Sequence, residues 1–432
     1  MINRRTFSTL LAGSVAAPGL APGLAPTLAW AQASRGRVVL YSGVGAELTH
    51  YQVYTEAAIL LKRNTVKLPG PIQYAWLSPA KKFLYVTSST GGPGESGNQH
   101  HATVFAVDRA TGELTPIGAP VKLRSRPIHN SVDNAGEYLL TAYNNPSGVS
   151  VHRLKPDGSI GEEVPQPEKL DTGIYAHQVR VTPSNQSVIL VTRGNNATAN
   201  KPEDPGSLKV FGFKNGVLSN KAAVQPGNGL GFGPRHLDFH PRQPWVFVSV
   251  ERQNQLYVYK LEPDGGVDPK PMYVTSTLLE PDRHVSSAGP IHVHPSGRFV
   301  YLTNRGGFAQ TPVPGAPMHD GLPIFDATNS SIAVFDINQQ TGEPKLLETP
   351  DTRGGHPRTF GLDGRGQLLV AASLSPVAVR DGNEVKVLGA GFTMFRVERD
   401  GRLKFARRLD INTGGKTQWW AGVVELDIVA PG

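Results

Sequence analysis

One phrase returns along this chain at intervals of roughly fifty residues, and that recurrence restricts the fold more than any other feature. It consists of an apolar stretch, a turn of Ser, Pro, Asp, Asn or Gly, and a strand rich in β-branched and aromatic residues. The copies read Trp76-Leu77-Ser78-Pro79 into Phe83-Leu84-Tyr85-Val86, Ser131-Val132-Asp133-Asn134 into Tyr138-Leu139-Leu140, and Val179-Arg180-Val181-Thr182-Pro183 into Val188-Ile189-Leu190-Val191. Leu237-Asp238-Phe239-His240-Pro241 into Val246-Phe247-Val248, Ile291-His292-Val293-His294-Pro295 into Phe299-Val300-Tyr301-Leu302, and Phe360-Gly361-Leu362-Asp363-Gly364 into Leu368-Leu369-Val370 follow. Between them, in constant phase, lie alternating strands with tight turns: Thr111-Gly112, Pro156-Asp157-Gly158, Pro263-Asp264-Gly265, Thr341-Gly342 and Asp400-Gly401. Asp-Gly and Thr-Gly between strands mark hairpins.

Each unit is therefore two hairpins, a four-stranded antiparallel sheet. The period suits a propeller blade, and no stretch carries the sustained 3.6-residue pattern of a helical solenoid. A seventh unit can be assembled from both chain ends, with Gly422-Val423-Val424-Glu425-Leu426-Asp427-Ile428 joined to Val38-Val39-Leu40-Tyr41-Ser42. Such a join removes exposed edges. The expected fold is all-β: a seven-bladed β-propeller of four-stranded antiparallel blades, its last blade closed by the N-terminal strand, forming one domain over 34–432. The period breaks most between Gly306 and Ser330, where a Pro/Gly-rich insertion at about 306–330 reads as a surface loop. Attached just after Arg305, it would either roof a site or be a passive insertion.

The first 33 residues read as a twin-arginine-type signal peptide. Asn3-Arg4-Arg5-Thr6-Phe7 precedes an apolar run from Leu10 to Ala17, and Ala29-Trp30-Ala31 or Ala31-Gln32-Ala33 offers small-residue cleavage. The run is too short for a bilayer and is followed by Pro18, Pro22 and Pro26, so no stable membrane insertion is expected after cleavage. A periplasmic destination follows, with the twin-arginine translocase as a partner during export.

With no cysteine, disulfides, thiolate nucleophiles and Cys-ligated metals are excluded. The net charge of +8 is mild for 432 residues, and basic pairs such as Lys81-Lys82 and Arg407-Arg408 are isolated, so nucleic acid is not an expected partner. A modest positive field favours anionic substrates. His100-His101 and His284 lack companions at metal-ligand spacing, and neither a metal nor a cofactor is implied. The run 227–233 lacks the Lys-Ser/Thr of a phosphate loop.

In a propeller, equivalent positions of separate blades converge on the axis. Four places carry ionisable side chains within or beside apolar strands: His177, Arg235 with His236, Glu251 and Arg305. Glu251 ends a strand that would otherwise be buried and needs a partner. It reads either as a general base tuned by burial and nearby guanidinium groups, or as half of a structural salt bridge with Arg235 or Arg252. Arg235 and Arg305 are either two-donor clamps for an anion or oxyanion, or rim arginines. His177 is either a proton carrier or a packing residue. His240 and His294 occupy the turn slot held elsewhere by Ser78 and Thr182.

Gly233-Pro234-Arg235-His236 through Val250-Glu251, together with Ala176-His177-Gln178-Val179 and Ile291-His292-Val293-His294-Pro295 to Asn304-Arg305, resembles the lactonase propeller family, from about Tyr74 to Phe405. That family includes propeller-type 6-phosphogluconolactonase and carboxymuconate cyclase. The resemblance implies chemistry on a lactone, with His177, Arg235, Glu251 and Arg305 as catalytic residues and His129, Asn144, His236, His292 and Arg358 as substrate-binding ones. The insertion, the ending Lys416-Thr417-Gln418-Trp419-Trp420 and the leader depart from the family pattern, and export argues against a phosphorylated cytoplasmic sugar lactone. The expected function is hydrolysis of a small anionic sugar or carboxy-lactone by base-activated water. The alternatives are a non-enzymatic binding propeller and a lactone-forming cyclase acting on an unsaturated acid.

Overall fold

A computed structural model describes residues 36–427 apart from 93–94, 281–285, 307–314, 316 and 326–329. The leader, His284 and much of the Pro-rich insertion lie outside the described residues.

Seven sheets have the same plan, four antiparallel strands whose innermost members are Ile72–Leu77, Pro127–Val132, Ala176–Val181, Pro234–Phe239, Ser286–Val293, Pro357–Leu362 and Gln418–Leu426. They are numbered blades one to seven in that order. The innermost strands touch in cyclic order, the seventh meeting both the sixth and the first. The seventh blade takes one strand from the C-terminal end and three from the N-terminal end, with Arg37–Val44 pairing antiparallel to Gln418–Leu426.

The repeated phrase straddles the turn from the first strand of a blade to its second. Its slot residue accepts backbone N–H groups of that turn: Ser78 Oγ from Lys82 and Phe83, Asp133 Oδ1 from Glu137 and Tyr138, Asp363 Oδ1 from Gln367 and Leu368. His240 Nδ1 does the same for Arg242 and Gln243, so it serves the turn as expected. Apolar residues of the middle strands form seven clusters, each shared by two neighbouring blades. The core is thus a set of wedges around the axis, and each blade buries both its faces.

An eighth sheet stands outside this plan. Met318–His319, Leu322–Phe325, Val377–Asp381 and Glu384–Leu388 form it, with Leu322–Phe325 parallel to Val377–Asp381. The expectation of a loop without strands over 306–330 is therefore corrected. Leu322-Pro323-Ile324-Phe325 pairs nearby only with the two-residue strand Met318–His319; its other partner comes from a second excursion inside blade six, which a local pattern cannot show.

Candidate active site

Each innermost strand carries a register shift near its start, at which one residue is skipped in the pairing with the next strand. The skipped residues are Gln73, Ile128, His177, Arg235, Arg358 and Trp419, with Gly289 and Pro290 in blade five. A bulge turns its extra side chain away from the regular alternation. Here Ile128, His177, Arg235, Arg358 and Trp419 all line one cavity of about 400 Å³. A second tier comes from two residues upstream: Arg126, Tyr175, Ser287 and His356. A third, with Arg193, Glu251, Arg305 and Leu374, comes from the ends of second strands.

Glu251 is the only carboxylate among the described lining residues, facing six arginines. Arg305 Nη2 donates to Oε1, Arg193 Nη1 donates to Oε2 at 3.0 Å, and Arg235 Nε stands 3.6 Å from Oε1. The salt-bridge alternative with Arg252 is not what forms, because Arg252 pairs with Glu203 instead. Burial pushes the Glu251 carboxyl upward, but Arg305, Arg193 and Arg235 outweigh it and hold the pKa far below the usual carboxylate range. Glu251 is ionised at any physiological pH. Arg235 is 1 % exposed, with Nε and Nη1 lacking hydrogen-bond acceptors among the described residues.

His177 is buried, and its Nδ1 has no partner among the described residues. Burial first, then Arg235 and Arg358, keep it well below the ordinary imidazole range and therefore neutral. His129 and His236 lie one step further along their strands, buried and outside the cavity lining. Their rings are 5.8 Å apart, the His129 ring lies 4.1 Å from that of Tyr74 at a tilt of 37°, and His236 lies 5.1 Å from His177. Both are pushed well down, by burial and then by arginines.

Of the five expected substrate contacts only Arg358 lines this cavity; besides His129 and His236, two more fall elsewhere. His292 does not line the Glu251 cavity. It stands 3.8 Å from Asp238, which also pairs with Arg180. Asn144 occupies in blade two the slot that Arg193, Glu251 and Arg305 fill in theirs, but it lines an adjoining cavity of about 360 Å³ that shares Arg126 and Tyr175. Sequence reasoning missed Arg193, Arg126 and Trp419 as site residues. Arg193 was legible, since it follows Val188-Ile189-Leu190-Val191-Thr192 as Glu251 follows Val250. Among the described residues no group of His, Asp or Glu is arranged to hold a metal.

Seven four-stranded blades around a mouth lined by guanidinium groups define a β-propeller with a cationic mouth. The chain belongs to the lactonase family of seven-bladed β-propellers, whose sequence model matches residues 38–379. It is 27 % identical over 346 residues to the 6-phosphogluconolactonase of Bacillus subtilis strain 168, spanning 78 % of this chain and 87 % of that one. The 6-phosphogluconolactonase of Pectobacterium carotovorum is 26 % identical over 309 residues, 72 % of this chain and 79 % of its own. Among solved structures, the periplasmic gluconolactonase PpgL of Pseudomonas aeruginosa superposes with a TM-score of 0.62 at 17 % identity, over 90 % of this chain and 97 % of that one.

Proposed function

We propose that this protein is an exported hydrolase that opens the ring of an anionic lactone, with Glu251 and His177 activating the water. The observation that carries the reading is the single ionised carboxylate held among Arg193, Arg235 and Arg305 in the cavity of a lactonase-family propeller. Water adds to the ester carbonyl and Glu251 takes its proton. Arg235 and Arg305 carry the negative charge that moves to the carbonyl oxygen. The ring C–O bond then breaks, and the proton returns to the departing alkoxide. A carboxylate so strongly paired is a weak base. The charge that builds on the carbonyl oxygen corrects this by competing for Arg235 and Arg305, which raises the basicity of Glu251 as the water attacks. Neutral His177, with Nδ1 unengaged, is the second acceptor at the site. The leader supports export, and the pairing of Arg37–Val44 with Gln418–Leu426 is read as the seam that closes the ring.

The test is turnover of gluconolactone, its 6-phosphate and muconolactone by the protein without its leader, beside Glu251→Gln. A drop of about 10²-fold or more in kcat, the size of a positioned base, is expected. Removing the charge also strains buried Arg235 and Arg305 and partly buried Arg193, so rates are compared well below the melting point of the variant. A Glu251→Gln protein as active as the parent would refute the assignment, and inactivity of both would favour a binding propeller.

A further inference from the structure

The charges in the cavity do not balance. Arg252 is matched by Glu203, and Glu251 serves Arg193, Arg235 and Arg305, whereas Arg126 and Arg358 have no carboxylate partner among the described residues. These two arginines come from blades two and six. With Trp419 of blade seven they form the half of the mouth opposite the Glu251 half, which blades three, four and five supply.

The three groups are tied together. The guanidinium carbons of Arg358 and Arg126 lie 3.7 and 5.5 Å from the Trp419 ring centre. Arg126 is fixed from behind, donating Nε to Gln73 Oε1 at 2.9 Å and Nη1 to the Gly92 carbonyl at 2.8 Å. Arg358 donates to no described residue. The Trp419 Nε1–H is buried, and it too finds no acceptor among the described residues. A cation–π contact uses the indole face and leaves the N–H donors of both partners unmet. Repulsion adds to this, for burial and then Arg305 and Arg126 lower the Arg358 pKa to about 9. Donors gathered without an acceptor are costly unless a ligand supplies one.

We propose that Arg126, Arg358 and Trp419 Nε1 form a second anion subsite, which seats a permanent oxyanion substituent of the substrate, a carboxylate or a phosphate, across the cavity from Glu251. That the anion belongs to a substrate rests on the hydrolytic reading; that an anion binds does not. A guanidinium presents two parallel donors to such a group. The substrate is then a lactone whose charge is remote from its ester carbonyl, so that one end is anchored while the other meets Glu251. The position of Trp419 beside both arginines makes it a built-in reporter.

The test titrates the leaderless protein with sodium phosphate and with sodium malonate at constant ionic strength, following tryptophan fluorescence. A saturable change is expected, absent in Trp419→Phe and retained in Glu251→Gln. In Arg358→Gln it should weaken about tenfold or more, the effect of removing one charge-assisted hydrogen bond. The stronger of the two probes identifies the oxyanion. Because Arg358 makes no hydrogen bond within the described protein, Arg358→Gln should melt no lower than the parent, which separates impaired binding from impaired folding. In turnover, Arg358→Gln should lower the preference for an anionic over an uncharged lactone about tenfold, chiefly through KM. The proposal fails if neither anion gives a saturable response, or if the response survives Arg358→Gln. Anion binding at Trp419 with no lactone turned over would sink the hydrolytic reading and leave this subsite standing.

Discussion

Glu251 does two things at once, and they pull against each other. It neutralises part of a cationic cavity, which requires a low pKa, and it is assigned to accept a proton, which favours a higher one. Because its pKa is depressed and that of His177 is depressed well below the ordinary imidazole value, Glu251 stays ionised and His177 stays neutral through the ordinary histidine range, about pH 6 to 8. The kcat/KM profile should accordingly be level across that interval, and a limb near the ordinary histidine value would contradict the arrangement. The buried imidazoles affect stability instead. His129, His177, His236 and His356 all have native pKa values below the ordinary 6.5. The unfolded chain thus binds more protons below pH 6.5, so stability is full above that value and falls as the pH drops through it. Each such histidine contributes a slope of up to about 1.4 kcal/mol per pH unit. His129→Phe should reduce the decline in unfolding free energy between pH 6.5 and 5 by close to one proton, read from urea titrations at each pH. An unchanged slope would show that His129 titrates normally. Side chains of this kind were legible in sequence where they broke an apolar strand, as Glu251 and Arg235 do. Arg126 and Trp419 break none: Arg126 lies outside any strand, and Trp419 has the character of an ordinary strand aromatic.

At the level of elements, the repeated phrase was sufficient to locate blades, because turn chemistry and alternation are local. The bulges were not visible. They depend on register against the second strand, which only the paired structure reveals. Yet the bulge decides which of two adjacent residues faces the mouth, so His177 lines the cavity and His129, one place past its own bulge, does not. The hairpin turns have an additional role. Gly158 and Gly401 have φ of +85° and +84°, and a Cβ there would stand 2.5 and 2.3 Å from Phe83 and Phe299 of the preceding blade. The carbonyls of the same glycines accept from Tyr85 and Tyr301 hydroxyls at 2.9 Å. Each turn thus latches onto its neighbour. Gly401→Ala should cost about 1 kcal/mol for the backbone and about 1–3 kcal/mol for crowding the phenyl ring. Denaturant unfolding measures it, and a destabilisation under about 0.5 kcal/mol, the scatter of neutral surface changes, would mean the latch yields freely.

For the whole molecule, seven shared wedges leave no centre that survives when one blade is removed. The pairing of both chain ends places blade seven under the same rule, since its innermost strand meets blades one and six. A protein ending before residue 418 should lose strand signal and protease resistance throughout, in circular dichroism and limited proteolysis, rather than persist as six blades. A stable truncated core would show that the wedges are independent. The two excursions that make the eighth sheet leave the ring beside Arg305 and Leu374, both at the cavity. Joined by Leu322–Phe325 and Val377–Asp381, they cannot be trimmed one at a time: shortening either would bare a strand edge of the other and invite sticking between molecules. Engineers who reshape this entrance face a paired choice, with both detours kept or both removed.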